Sequence, residues 1–176
     1  MDNIKPRLGD YKYHFLLNLQ NYLDTTLLFF GSIQRIDYFE GSSDIDIAVL
    51  TDNPTSMMSK IKHHLNISNS NITRIYQSFN NDKEHSLIRG YKMTYKDTER
   101  NWGFDIIIYD EKYKNSVLNE ITITNNLPFY ITWWFFIIKF LYYKLNVISK
   151  SLYYKMKQVI FNIIMDKQVA TLSDFN

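Results

Sequence analysis

The sequence predicts an α/β protein of the α+β kind, with a mixed sheet of about five strands flanked by helices and followed by C-terminal helices. Three observations predict this class. Helical periodicity alternates with short apolar runs over residues 11–65. Three strand-like runs come next, separated by the polar turns "NNDKEH" and "KDTERN". From Glu111 onward, the apolar residues recur at helical spacing.

The elements of the first part can be assigned in order. Leu16, Leu19 and Leu23 recur on one helical face, and an apolar run that follows ends at Gly31, with Ser32 placed to cap a helix. The predicted elements are a helix over 11–24, a strand over 26–30, a short helix over 33–37, a strand over 43–50 and a helix over 56–65.

The second part continues the sheet and then becomes helical. Strands are predicted over 73–79, 86–95 and 103–109, and helices over 131–146 and 150–165, after a break at Pro128. We therefore expect an α/β body over residues 1–110 and a C-terminal helical subdomain over 111–176 packed on it.

Composition limits the classes of partner. The formal net charge of +2 gives little long-range attraction for a polyanion, so a duplex-binding protein is not indicated. No cysteine is present, and the first residues lack the apolar segment of a signal peptide, so we expect an intracellular, cytoplasmic protein. The aromatic segment 127–148 has an uninterrupted apolar part too short for a membrane span, so no membrane partner is expected.

Two aspartates interrupt an otherwise apolar strand. Asp44 and Asp46 are two residues apart, so they share one face of a strand while Ile45 and Ile47 fill the other. Carboxylates at this distance repel unless a cation lies between them, and Mg²⁺ prefers oxygen ligands. Asp105 interrupts a later apolar strand in the same way. If the two strands are neighbours, three acids converge on a metal site; the alternative is a solvated strand face.

An anion site is predicted next to these acids. Gly31 and Ser32 end a strand and begin a helix, which would expose backbone N–H groups, and Arg35 lies about one turn further on. Phosphate-binding groups that face a cluster of acids indicate a nucleoside triphosphate with Mg²⁺ and a phosphoryl or nucleotidyl transfer.

The stretches "GSIQR", "SDIDIAV" and "GFDIII" resemble the signature of the polymerase-beta-like nucleotidyltransferase superfamily, over residues from about 11 to 110. This superfamily includes X-family DNA polymerases, kanamycin-type nucleotidyltransferases and the minimal nucleotidyltransferases that accompany small helical partners. The resemblance implies a magnesium-dependent, NTP-using transferase that moves a nucleoside monophosphate to an acceptor hydroxyl and releases pyrophosphate.

The resemblance also implies a role for each residue. Asp44 and Asp46 would bind two Mg²⁺ ions, with Mn²⁺ as an alternative metal, and Asp105 would help hold one ion and accept the proton of the attacking hydroxyl. Gly31 and Ser32 would hold the β- and γ-phosphates, with Arg35 as their charge partner. Ser43, beside Asp44, is a nucleotide-binding candidate whose alternative role is in a turn.

The acceptor, whether protein, nucleic acid or small molecule, is not specified by the sequence, and two alternatives to the leading function stay open. One is a small X-family-like DNA polymerase, which the modest net charge disfavours. The other is an inactive, antitoxin-like interaction module. The aromatic helix within 127–148 has large side chains all round, so it predicts either a core helix or a surface for a homodimer or a helical protein partner.

Overall fold

The computed structural model describes residues 4–78 and 87–173, with side chains for residues 4–77, 87–160 and 162. The chain divides into two compact units, Met1–Asn126 and Leu127–Asn176. The helices are α1 (Lys5–Leu23), α2 (Pro54–Leu65), α3 (Lys114–Asn125), α4 (Phe129–Tyr143) and α5 (Lys150–Ser173). The strands are β1 (Leu28–Phe30), β2 (Ile45–Thr51), β3 (Ile72–Ser78), β4 (Leu87–Asp97) and β5 (Trp102–Asp110).

The five strands form one mixed sheet in the order β1-β2-β5-β4-β3. β2 and β5 are parallel neighbours, while the other three pairs are antiparallel. The predicted α+β class, with a five-stranded mixed sheet and C-terminal helices, is therefore confirmed. The predicted strands 73–79 and 86–95 extend to residues 79 and 86, which lie outside the described residues.

Strand alternation divides the apolar residues between the two faces of the sheet. Ile47 of β2 and Ile106 of β5 point to the face covered by α1 and α2, where the larger core lies. Ala48 and Ile107 point to the opposite face, where they pack with Val117 of α3. Asp46 and Asp105 alternate with the first pair, so they lie on the α3 face of the sheet.

The predicted helix over 33–37 is wrong. A single 3₁₀ turn spans Gly31–Gln34, and Arg35 is already extended, with φ −117° and ψ 169°. Gly31 begins this turn at φ +74°, a left-handed conformation that glycine adopts without a Cβ clash. A four-residue 3₁₀ turn cannot provide the helix dipole that the sequence pattern suggested.

The second unit consists of α4 and α5. Their shared core contains Ile131, Phe135, Ile138 and Tyr153, and the rings of Tyr142 and Tyr153 stack with centroids 4.6 Å apart. Six large side chains of α4 are exposed: Phe129, Tyr130, Trp133, Trp134, Ile137 and Phe140. In the part of the chain that the structure describes, no helix combines the length and apolarity that crossing a bilayer would need.

Candidate active site

The two strand aspartates lie side by side. Asp46 of β2 is in register with Asp105 of β5, and adjacent strands are about 4.8 Å apart. The expected convergence of these two acids follows from the parallel pairing. Phe30, the last residue of β1, is in register with Asp46 on its other side, so the turn that begins at Gly31 starts beside this carboxylate.

Two polar side chains of β4 reach Asp105. The Lys92 Nζ atom lies 2.7 Å from Asp105 Oδ2, and Thr94 Oγ1 donates a hydrogen bond of 2.6 Å to Asp105 Oδ1. Partial burial lowers the pKa of Lys92, but the hydrogen bond to Asp105 and the charges of Asp105, Asp46 and Asp44 raise it by more, so the net shift is upward. A lysine ammonium therefore lies against Asp105 and within electrostatic reach of Asp46 and Asp44.

Asp44 lies one residue before β2 and is exposed. It lines a cleft of about 240 Å³ at the end of the sheet where β2 and β5 begin, together with Ser43, Thr94 and Asp105. Ser43 closes a turn: its backbone N–H donates to the carbonyl of Phe39, and its Oγ accepts from the N–H of Phe39. Ser43 thus combines the predicted turn role with a position on the wall of the cleft.

The turn after β1 approaches Asp46 closely. A Cβ atom added to Gly31 would lie 3.0 Å from Asp46 Oδ2, so a larger residue would press on the carboxylate as well as strain the backbone. Asn125, at the end of α3, fixes this turn from outside the sheet. Its Oδ1 accepts from the Gly31 N–H at 3.0 Å, and its Nδ2 donates to the Phe29 carbonyl at 3.4 Å.

The other two residues of the predicted phosphate site are largely internal. Ser32 is 8% exposed. The Arg35 guanidinium bonds to both carboxylate oxygens of buried Asp37, at 2.9 and 3.2 Å, and donates to the Thr124 carbonyl at 2.7 Å. These bonds make Arg35 a brace between the turn and α3. The role of Arg35 as charge partner of a phosphate, which the family resemblance implies, stays a prediction.

The donor set suits a hard divalent cation in chemistry but is not assembled as a cage. Among the described residues, no three His, Asp or Glu side chains are grouped closely enough to hold a metal ion. Asp46 and Asp105 are adjacent oxygen donors, and Asp44 is exposed beside them at the cleft. The Lys92 ammonium already places a positive charge against Asp105 at this position. The residues therefore fit Mg²⁺ if Lys92 gives way.

Sequence reasoning missed Lys92, Thr94 and Asn125. The first two carried a usable signal, because they alternate with Tyr91 and Met93 in a predicted strand and so occupy its polar face. Asn125 carried none, since it is 94 residues from Gly31 and lies in an ordinary helical segment.

The fold and the paired aspartates define a class of protein with a carboxylate site at the end of a mixed sheet, next to a Gly-Ser turn. The family model of the nucleotidyltransferase domain matches residues 15–165, and the chain belongs to this family. The resemblance to the polymerase-beta-like superfamily is thereby confirmed. Neither the curated proteins nor the solved structures compared with the chain gave a match.

Proposed function

We propose that the protein is a magnesium-dependent nucleotidyltransferase that moves a nucleoside monophosphate from an NTP to an acceptor hydroxyl. The observation that carries the proposal is the parallel register of Asp46 with Asp105, next to the turn that begins at Gly31. Membership of the nucleotidyltransferase domain family supports transfer of a nucleotide in general. We further propose a cytoplasmic location, supported by the absence of cysteine from the sequence.

The proposal gives each residue of the site a separate role. Asp44, Asp46 and Asp105 would hold Mg²⁺, or Mn²⁺ in its place; when bound, the two ions supply charge that stabilises the attacking and leaving oxygens. The turn at Gly31 and Ser32 would orient the β- and γ-phosphates, and Arg35 would keep that turn in place. Asp105 would accept the proton of the acceptor hydroxyl. The hydroxyl oxygen then bonds to the α-phosphorus as the bond from that phosphorus to pyrophosphate breaks.

The bonds of Asp105 set a condition on this chemistry. Its two oxygens are occupied by Thr94 Oγ1 and by Lys92 Nζ. Asp105 can accept a proton or bind a metal through Oδ2 once Lys92 has moved, while the Thr94 hydroxyl can keep Oδ1 oriented. Lys92 would thus exchange places with the metal, and its ammonium could then turn to the triphosphate.

A transfer assay tests the proposal. The purified protein would be incubated with each NTP labelled on the α-phosphate, Mg²⁺, and separate pools of RNA, DNA, protein and small molecules. We expect label in one pool, pyrophosphate released in equal amount, and loss of both with EDTA. Asp105→Asn should abolish transfer while keeping the Thr94 contact. Label incorporation that persists in EDTA would overturn the assignment. Undiminished incorporation by Asp105→Asn would overturn it as well.

The exposed side chains of α4 favour a second candidate, an interaction module of the same fold. Trp133, Trp134 and Phe140 are among six large exposed side chains on one helix, an unusual density for a free surface. Such a module would be dimeric or hold a helical protein through this helix, and it would show no transfer. Light scattering and the transfer assay together separate the two candidates. A monomer that transfers label supports the enzyme and excludes the interaction module.

A further inference from the structure

A second polar surface lies on the face of the sheet opposite the acids, toward the end where β5 finishes. Its side chains come from β3 and β4, where Arg74 is in register with Tyr91 and Tyr76 with Arg89. Residues in register on antiparallel strands point to the same face, so two guanidiniums and two phenol rings alternate. Diagonal neighbours in such a pair are about 7–8 Å apart. We name these four residues the Arg–Tyr square.

The charges of the square are unbalanced. Arg74 and Arg89 are both exposed, and within the described part of the chain neither makes an ion pair, a side-chain hydrogen bond or a ring contact. The other three arginines are all bonded inside the protein: Arg7, Arg35 and Arg100. Two adjacent arginines that lack any acid partner are therefore a local exception in a chain that is nearly neutral.

The square borders a groove of about 320 Å³. Lys112 and Tyr113 add a further cation and ring, and Thr55 stands at the start of α2. Asp110 is the acidic residue on the wall, but its carboxylate lies 3.2 Å from Lys112 Nζ and accepts from the Lys112 N–H. That charge is already matched, so the two arginines leave the groove with an excess of positive charge.

Protection of the sheet edge does not explain the arrangement. β3 is an edge strand, and a charged residue there discourages pairing with another sheet. Arg89, however, lies on β4, which has a partner on each side and needs no such protection. The side chain of Tyr76 is 58% exposed, so its ring contributes little to the core. The Tyr76 ring and the two guanidiniums are presented to solvent instead, while the Tyr91 ring is partly buried against the larger core.

We propose that the Arg–Tyr square binds single-stranded nucleic acid. Unpaired guanidiniums bind phosphates, and exposed rings on a sheet face stack on bases that are free of a complementary strand. A duplex keeps its bases paired inside and offers the square nothing to stack on. Because the net charge is +2, attraction is local and the footprint is a few nucleotides. This proposal stands on binding alone and does not depend on nucleotidyl transfer.

Fluorescence anisotropy with labelled ten-nucleotide oligo-U RNA, oligo-dT and a ten-base-pair duplex tests it, at salt concentrations from about 20 to 200 mM. We expect both single strands to bind more tightly than the duplex. Arg89→Gln should weaken binding and reduce the slope of log K against log salt by about 0.7, the value for one phosphate contact on a single strand. Tyr76→Leu should weaken binding by about fivefold or more and leave the salt slope unchanged.

Matched controls lie on α5. Lys155→Gln removes one exposed positive charge, and Tyr154→Leu removes a ring that is 51% exposed. Neither control should alter binding. The proposal is overturned if the wild type binds no single strand at the lowest salt, if the duplex binds equally well, or if Lys155→Gln weakens binding as much as Arg89→Gln. Displacement of the ten-nucleotide RNA by an equal concentration of UMP would also overturn the proposal, since the site would then be one for a mononucleotide.

Discussion

Two sets of carboxylates lie on the α3 side of the sheet, and their surroundings differ. Asp105 lines the cleft and Asp46 lies in register beside it, with the Lys92 ammonium and the Thr94 hydroxyl against Asp105. Glu120 of α3 lines a small, mostly apolar cavity of about 110 Å³ whose wall also includes Gln77 and Thr124. Burial raises the pKa of Glu120, and a hydrogen bond with Thr124 offsets only part of that shift. Within the described residues no cation pairs with Glu120.

The difference shows what makes a carboxylate useful at this sheet. Where a cation is within reach, the negative charge of the carboxylate is stabilised. Its cationic partner can then change from a lysine ammonium to a metal ion. Where the surroundings are apolar, the same chemical group favours its neutral form and its charge costs stability. The following substitutions change one side of this comparison at a time.

Removing the charge of Asp46 should have the largest effect. Asp46→Asn keeps the shape of the side chain beside Gly31 but removes a proposed metal ligand, so we expect nucleotidyl transfer to fall by about 10³-fold, equivalent to about 4 kcal/mol of transition-state stabilisation. Release of pyrophosphate from labelled NTP measures it. Asp52→Asn, an exposed aspartate just after β2, is the matched control. Equal turnover in both variants would contradict the role of Asp46.

Lys92→Met keeps the side-chain stem and removes the ammonium. Because Lys92 is partly exposed, the loss of stability of the metal-free protein should be at most about 1 kcal/mol. The melting temperature should then rise more with Mg²⁺ than it does in the wild type, since no ammonium competes for Asp105.

The pH dependence of this difference has a defined sign. The pKa of Lys92 is raised above 10.5, so the stabilisation by Lys92 is complete below that value and is lost only as the pH rises beyond it. The difference in stability between wild type and Lys92→Met should therefore be flat from about pH 6 to 9. Lys155→Met controls for loss of an exposed lysine. An unchanged Mg²⁺ shift would show that Lys92 and the metal do not share a position.

Glu120→Gln should give the smallest effect, and one of opposite sign. Since the folded state raises the pKa of Glu120, the wild type loses stability as the pH rises from its unfolded pKa of about 4.5 through the folded value. The variant should therefore melt above the wild type at pH 7 and level with it at about pH 3.5. Melting curves at the two pH values measure this. A variant that melts below the wild type at pH 7 would mean that the charged form of Glu120 is stabilising.

Local pattern was enough to predict the sheet and the polar face of each strand that carries an acid, but the pairing of those strands was only a condition of the prediction. The alternation of Asp46 with Ile45 and Ile47, and of Asp105 with Ile106, identified the polar face of each strand, and a parallel register then placed the two aspartates side by side. The identity of the neighbouring strand could not be read in this way, so the Lys92 ammonium was missed.

The turn at Gly31 shows the opposite case. A Gly-Ser pair followed by Arg35 is a reasonable signal for a helix start, yet a buried pair with Asp37 and a bond to Thr124 hold Arg35 in an extended conformation. The Thr124 carbonyl comes from 89 positions away, so no short-range pattern contains that contact, although Asp37 itself lies only two residues after Arg35. The roles of Gly31, Ser32 and Ser43 toward a nucleotide stay predictions.

The hydrogen bond between Asn125 and the Gly31 turn has a consequence for the order in which parts of the protein fold. A nascent chain that has emerged to residue 110 already contains all three aspartates, but not the side chain that accepts the Gly31 N–H. Closing a loop of this length is slow compared with pairing nearby segments. We expect amide-exchange protection at Gly31 to appear later during refolding than protection at Ile47, and simultaneous protection would contradict this order. Asp46 and Asp105 would thus pair before the Gly31 turn is completed. A partly folded chain would attract cations before the turn proposed to orient a triphosphate has formed.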